Sequence, residues 1–329
     1  MKKIKEEHNL VGINHLSFTA IGLACHAICL IESAGILQLL KQGKGFQHNQ
    51  LSNYCNPHLL KAAFVTLIGA GVITLSNDTY NLTALGEDLA KNIGIILLPF
   101  VGYRKLLAKQ FELLQHPKCW KDTDIDYSAI ALASIEFGLH DLDPLIMNVF
   151  RDLDPQGTIC DLGCGTGEKL VKICKDLDVS GLGIEKNPQV IKRSSKFTKY
   201  WSRVEIIQGD IFNLQGVWED IEIAMISFVY HDINPLNRCL TFLSSLHQHF
   251  PHLRYLVVVD IVSLSEGFPS IMPGFDYVHG LQGITPRTYE ETLDTFTKAN
   301  FRVFKEIAVP NMPNTFIWVV GQNKKAAHF

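Results

Sequence analysis

CDLGCGTGE, residues Cys160–Glu168, joins a short strand-like run to a helix-length run, EKLVKICKDL. A strand ending at Asp161 and a helix beginning near Glu168 would be connected through Gly163, Gly165 and Gly167. Glycine lets a backbone turn sharply and approach a ligand closely. The dinucleotide-binding form of such a turn, G-x-G-x-x-G, requires glycine at 168, where Glu168 stands instead. An acidic residue at a helix start disfavours a pyrophosphate and tolerates a ligand that bears a cation. Glu185 closes the next apolar run, SGLGIE. It falls about 20 residues beyond the first glycine, where a carboxylate can take both hydroxyls of a ribose. Asp210, in QGDIF, ends the third run and is placed to hold an adenine amino group.

Outward from this loop, strand-like and helix-like runs alternate from Gly157 onward. TICDLG, SGLGIE, VEIIQGD, IEIAMISFV, YLVVVDIV, VFKEIAV and NTFIWVVG are the strand candidates. GEKLVKICKDL and PQVIKRSSKF are helices between them. Such interleaving predicts a doubly wound α/β sheet of mostly parallel strands. The last two runs are separated only by PNMPN, so they should pair antiparallel.

The N-terminal part has a different texture. LSFTAIGLACHAICLIESA and ILQLLKQ read as helices, and PHLLKAAFVTLIGAG as a helix with Pro57 near its start. VITLSNDTYNLT holds two β-prone runs around Asn77-Asp78, a hairpin signal, and TALGEDLAKN is again helical. Helices followed by a small hairpin form a winged-helix pattern over residues 1–102. Residues 103–153 read as helices that would bridge to, and cover, the sheet domain at 154–329.

Composition narrows the function classes. The 329 residues suit two domains. Hydrophobic residues are 47% and charged residues 19%, with net charge −3, a poor balance for holding a polyanion. The second-helix candidate at 57–70 carries only Lys61 as a charge, and the first arginine is Arg104, so no basic face offers itself to nucleic acid. The eight cysteines include no Cys-x-x-Cys pair, which fits a reduced, cytoplasmic protein. The start, MKKIKEEHN, is basic then acidic, and charged residues are then absent from His8 to Ile31. Asn14, His15, Ser17, Thr19 and His26 interrupt that run, so no apolar stretch of the ~20 residues a spanning helix needs is expected. The run is expected to be a buried or dimer-forming helix, with no membrane partner.

DLGCGTG, Glu185 and GDIF together resemble the first motif, the ribose acid and the adenine segment of S-adenosylmethionine-dependent methyltransferases. That resemblance implies a Rossmann-like sheet of seven strands with S-adenosyl-L-methionine against Asp161, Gly163, Gly165, Gly167, Glu185, Asp210, Ile211 and Phe228. ESAGILQLL, LSNYCNPHLLKAAFVTLIGAGVITL and YNLTALGEDLA resemble the winged-helix dimerisation domain of small-molecule O-methyltransferases of the caffeic-acid type. This extends the likeness to nearly the whole chain and implies a homodimer.

In those enzymes a His-Asp pair follows the fourth strand, and the histidine is the general base. His231 and Asp232, in FVYHDINP, fall on that position. Near its ordinary pKa an imidazole suits removal of a phenolic proton. The same enzymes usually carry an apolar residue near position 279, where this chain has His279. His231, Asp232 and His279 supply two imidazoles and a carboxylate, a set that leaves coordination positions open on a metal. With FDYVHGLQG, the arrangement resembles the 2-oxo-acid C-methyltransferases, which methylate the β-carbon of phenylpyruvate-like or branched 2-oxo acids on a bound metal.

Two readings follow. One is a C-methyltransferase of a 2-oxo acid with a metal, iron favoured over zinc, at His231, Asp232 and His279. Tyr230 or a metal-bound hydroxide then serves as base. The other is a metal-free O-methyltransferase with His231 as base. A winged-helix regulator is a third, and it lacks its basic face. His231 and Asp232 can share an ion only if their strand has ended, as Asn234 and Pro235 suggest. HQHFPH, with His247, His249 and His252, lies at the amino end of a strand and reads as surface. Thr288 and Glu291 form a capping box. Arg287 before it, like Arg104, is open to a substrate-carboxylate or a surface role.

Overall fold

The computed structural model describes residues 15–199, 201–263 and 274–322. The charged opening segment MKKIKEEHN lies outside the described residues, as does the Met272-Pro273 start of the segment that leads to His279. The chain divides into two compact units, Met1–Arg104 and Lys105–Phe329.

In the first unit, helices α1 (His15–Ser33) and α2 (Ile36–Lys41) precede a two-residue strand, β1 (Phe46–Gln47). Helix α3 (Pro57–Gly69) has Pro57 at its first turn, and the Asn56 side chain accepts from the Leu59 amide, so its exposed N–H groups are partly satisfied. Strands β2 (Ile73–Ser76) and β3 (Thr79–Leu82) form the expected antiparallel hairpin. Asn77 and Asp78 both take positive φ, 48° and 59°, which a two-residue turn with the hairpin's twist requires. β1 pairs with the other edge of β3; two residues are too few to show a period in sequence. Helices α4 (Ala84–Lys91), capped by Thr83, and α5 (Ile93–Leu97) complete the unit. Ile28, Ile31, Leu37, Phe64, Leu67 and Tyr80 form its core.

One expectation is corrected here. By length and composition alone, α1, with a mean hydropathy of 1.6, is long and apolar enough to cross a membrane. Its polar side chains are too few to break the run. Ala24, Ala27, Ile28 and Ile31 are buried within the unit, while Leu16, Phe18, Ile21 and Leu23 are exposed.

The second unit opens with helices α6 (Arg104–Ala108, begun at the boundary), α7 (Gln110–Gln115), α8 (Tyr127–Gly138) and α9 (Asp143–Leu153). Then follow β4 (Thr158–Leu162), α10 (Glu168–Leu177), β5 (Gly181–Glu185), α11 (Pro188–Thr198), β6 (Val204–Gln208) and β7 (Ile221–Ser227). Helix α12 (Leu236–His249), β8 (Tyr255–Ile261), α13 (Phe275–Leu281), α14 (Tyr289–Lys298), β9 (Phe301–Ala308) and β10 (Thr315–Gln322) close it. Among the described residues these strands form one seven-stranded sheet, in the order β6-β5-β4-β7-β8-β10-β9. β4 lies between β5 and β7, both parallel to it. β10 is antiparallel to β9, as the short PNMPN link requires, and inserts antiparallel beside β8.

The central strands carry near-continuous apolar runs because both of their faces are covered. Cys160, Ile184, Ala224, Leu243, Leu256 and Trp318 sit in the resulting core. The order of strands reverses beside β4, so the loops after β4 and β7 leave the same edge of the sheet at the place where ligands of such folds bind. All eight cysteines are unbridged.

Candidate active site

The loop after β4 is built around its glycines. Gly163, Gly165 and Gly167 all have positive φ, at 82°, 57° and 73°. A Cβ on Gly167 would also meet Ile206 Cδ1 at 2.1 Å, and one on Gly163 would meet Val229 Cγ2 at 2.8 Å. The second contact seats the loop after β7 directly against the glycine loop. Glu185, the last residue of β5, accepts from the Gly165 amide at 3.0 Å and from the Asn187 amide at 2.7 Å. Burial raises its pKa, against the pull of those amides.

Asp161 lies one residue inside the end of β4 and is buried, with no hydrogen-bond partner on Oδ1. Burial raises its pKa to about 7; Lys169 opposes the rise and Glu185 adds to it. Asp210 stands beyond the end of β6 rather than on it; its Oδ1 accepts from the Phe212 amide at 3.0 Å, and its Oδ2 lies 3.4 Å from Lys186 Nζ. Phe228, half-buried with φ 56°, lies with its ring 5.7 Å from that of Phe137 and 5.8 Å from Lys169 Nζ. Ile211 is buried in the core against the sheet. Asp161, the glycines, Glu185, Asp210 and Phe228 thus gather at the carboxyl ends of β4 to β7.

The second cluster begins where β7 ends, at Ser227. Tyr230–Asp232 form one 3₁₀ turn, so His231 and Asp232 are not held to opposite faces of a strand. His231 donates through its backbone amide to Asp260 Oδ2 at 2.7 Å, and its Nδ1 lies 2.5 Å from Asp260 Oδ1. Asp260, in β8, is 2% exposed. His279, on α13, is buried with Nδ1 2.6 Å from the Phe275 carbonyl. A carbonyl only accepts, so His279 Nδ1 carries the proton, and in the neutral ring Nε2 holds a lone pair.

Both Nε2 atoms turn toward Asp232, at 3.7 Å for His231 and 3.6 Å for His279 from Oδ1. The three ligand atoms lie within 4.8 Å of one another. His279 Nε2 is buried and has no hydrogen-bond partner. A lone pair facing a carboxylate oxygen across that distance is repulsive unless a cation joins them. The donor set therefore fits a metal ion, with Asp260 and the Phe275 carbonyl fixing the outer nitrogen of each ring, as metal-bound imidazoles usually have it fixed. Burial works against a charge on His231, but Asp260 and Asp232 outweigh it and lift its pKa to about 9. Burial and the neighbouring His231 lower that of His279.

The remaining candidates separate clearly. Tyr230 is corrected as a catalytic base. Its ring turns into the core, 5.5 Å from Phe296, and burial drives its pKa well above the tyrosine range. Arg287 is buried, so it holds neither surface nor open substrate position: it donates to the Ile233 carbonyl at 2.8 Å and the Tyr230 carbonyl at 2.5 Å. Thr288 and Glu291 do form the capping box of α14. His249 Nδ1 lies 2.9 Å from the Gly216 carbonyl and His247 stacks on Phe301, both half-buried, while His252 is exposed as expected of a surface residue. Asp260 escaped the sequence reading, although a lone acid inside the apolar run YLVVVDIV is a signal that a buried partner must exist.

Comparison with known proteins finds methyltransferases among the relatives of this chain. A methyltransferase-domain family matches residues 153–298. An indolepyruvate C-methyltransferase of Streptomyces griseus is 30% identical over 309 residues, which cover 91% of this chain and 92% of that protein. The structure of a mitomycin 7-O-methyltransferase aligns with TM-score 0.69 at 16% identity over 93% of this chain and 96% of its own. That of a pyocyanin biosynthetic protein aligns with TM-score 0.66 at 15% identity over 93% and 97%. At these identities the two structures speak for the fold alone.

Proposed function

Because the chain belongs to the S-adenosylmethionine-dependent small-molecule methyltransferases, we propose that it methylates the β-carbon of a 2-oxo acid held at a metal on His231, Asp232 and His279. The relative named for C-methylation of indolepyruvate supports the substrate class. The observation that carries the metal is the buried, unpartnered His279 Nε2 facing the Asp232 carboxylate. Bound there, a divalent ion, iron before zinc for this ligand set, would polarise the keto oxygen of the chelating acid and so acidify its C3–H beside the adenosylmethionine methyl group.

The chain's own groups do the placing. The glycine loop brings backbone amides close to the cofactor, Glu185 takes the ribose hydroxyls, and Asp210 takes the adenine amino group. Phe228 forms a wall of the same pocket. Val229, packed on Gly163, sets the distance between cofactor loop and ligand turn. Asp260 keeps the proton of His231 on Nδ1 and turns Nε2 inward.

The reading in which His231 acts as general base for a phenol has the His231–Asp260 pair in its favour. It gives no role, however, to the buried His279 Nε2, which faces the Asp232 carboxylate without a hydrogen-bond partner. The exposed apolar side chains Phe18 and Leu23 of α1 and Val65 of α3 belong, in this proposal, to the interface of a homodimer.

Metal analysis of untagged protein tests the proposal. Wild type should carry about one iron or zinc per chain, His279→Ala should carry none, and only the former should methylate 2-oxo acids. Metal-free wild type that stays metal-free after reconstitution would sink it.

A further inference from the structure

Three ligand side chains come from two separate segments. His231 and Asp232 sit on the turn after β7, and His279 sits on α13, beyond β8. Something must hold these segments in register, because an ion tolerates errors of only a few tenths of an ångström in its ligand atoms. Within the described residues, Phe275 ties the two segments from inside α13, with its ring 5.0 Å from that of His231 and its carbonyl on His279 Nδ1. A further tie comes from a residue outside both segments, whose side chain holds the first and whose backbone reaches toward the second.

That residue is Arg287. Its guanidinium is buried at 7% exposure and spans the ligand turn: Nη2 donates to the Tyr230 carbonyl and Nη1 to the Ile233 carbonyl, the residues that flank His231 and Asp232. The carbon of the same group lies 4.5 Å from the centre of the Tyr230 ring. The planar fork of arginine suits two fixed acceptors at once, which a lysine ammonium does not. The Arg287 backbone carbonyl accepts from the Ser263 amide at 2.9 Å. Ser263 in turn donates its hydroxyl to Asp276, in the first turn of α13, one helical turn before His279. His231, Asp260 and Arg287 also line one shallow crevice too narrow for a water molecule, so the three groups are close neighbours.

We propose that Arg287 is a positioning residue for the metal site: its side chain fixes the His231–Asp232 turn, and its carbonyl, through Ser263 and Asp276, fixes the helix that presents His279. This rests on the metal reading above. It explains why a cation lies buried beside a site that is to hold another one: both Nη atoms of the guanidinium are taken by carbonyls, and none of its nitrogens bonds Asp232.

Titration of metal-free full-length protein with Co²⁺, read from its visible d–d absorption, tests this. Adenosylmethionine binding by calorimetry serves as the control. Arg287→Lys should weaken Co²⁺ binding about 10–100-fold, the usual cost of losing an outer partner of a metal site. Ser263→Ala should weaken it less, by several-fold. Both should bind adenosylmethionine within twofold of wild type, a separation that general destabilisation would not produce. Co²⁺ affinity within twofold of wild type in both variants would overturn the inference and leave the metal reading standing. If Arg287→Lys does not fold, Ser263→Ala decides alone. Wild type that binds no Co²⁺ would overturn both.

Discussion

A buried carboxylate with an unpartnered oxygen is costly unless it is neutral or something charged arrives. Asp161 is in that position, and its pKa stands at about 7 against 3.8 for the free side chain. Between those values the folded chain holds a proton that the unfolded chain has lost. The contribution to stability is therefore fully present below the unfolded pKa and disappears as pH rises toward 7. Its size is roughly 4 kcal/mol, from about 1.4 kcal/mol per pKa unit. Without adenosylmethionine, the denaturation midpoint of wild type should fall between pH 4 and 8, and Asp161→Asn should flatten that fall. An identical slope in the variant would contradict this. Legibility at this scale followed exposure to a ligand. The glycines, Glu185 and the His231, Asp232, His279 set could be read as candidates because cofactor and metal binding call for those residue types. Asp260 and Arg287 act on other protein groups, and nothing in their immediate sequence says which. Tyr230 misled because, in a 3₁₀ turn, neighbours point in widely different directions, and only His231 and Asp232 turn to the site.

Elements were legible where a period or a stop signal exists. The helix at α10, the hairpin at Asn77-Asp78 and the antiparallel β9–β10 pair all followed from local rules. The insertion of β10 between β8 and β9 did not, because strand order is decided by packing between distant segments. The loop from β4 to α10 carries a prediction of its own. Gly167 begins α10 with φ 73° and has Ile206 pressed against the place of a side chain. Gly167→Ala should cost about 1–2 kcal/mol for the left-handed backbone alone. It should also weaken adenosylmethionine binding, because relief of the contact with Ile206 moves the loop. Urea denaturation and calorimetry measure the two effects, and an unchanged affinity would mean that the loop does not meet the cofactor.

At the scale of the molecule, the apolar side chains left exposed on the first unit are the feature on which the proposed homodimer rests. Phe18 is 66% exposed, Leu23 58% and Val65 61%. A homodimer built on them should dissociate in Phe18→Asp/Val65→Asp double-variant protein, with sedimentation velocity showing a single species of half the wild-type mass. A wild-type monomer would refute the assembly. The reversed strand β10 bears on how the chain is made. Among the described residues, β8 pairs on one side with β7 and on the other with β10, and β9 pairs with β10 alone. A ribosome that has delivered everything up to Pro313 has therefore produced a sheet with an open apolar edge at β8 and a loose strand at β9. Until the final segment emerges, that edge is a template for another chain. Chains released early at this point would be expected to join one another rather than wait, so full-length translation is itself a condition for keeping this enzyme out of aggregates.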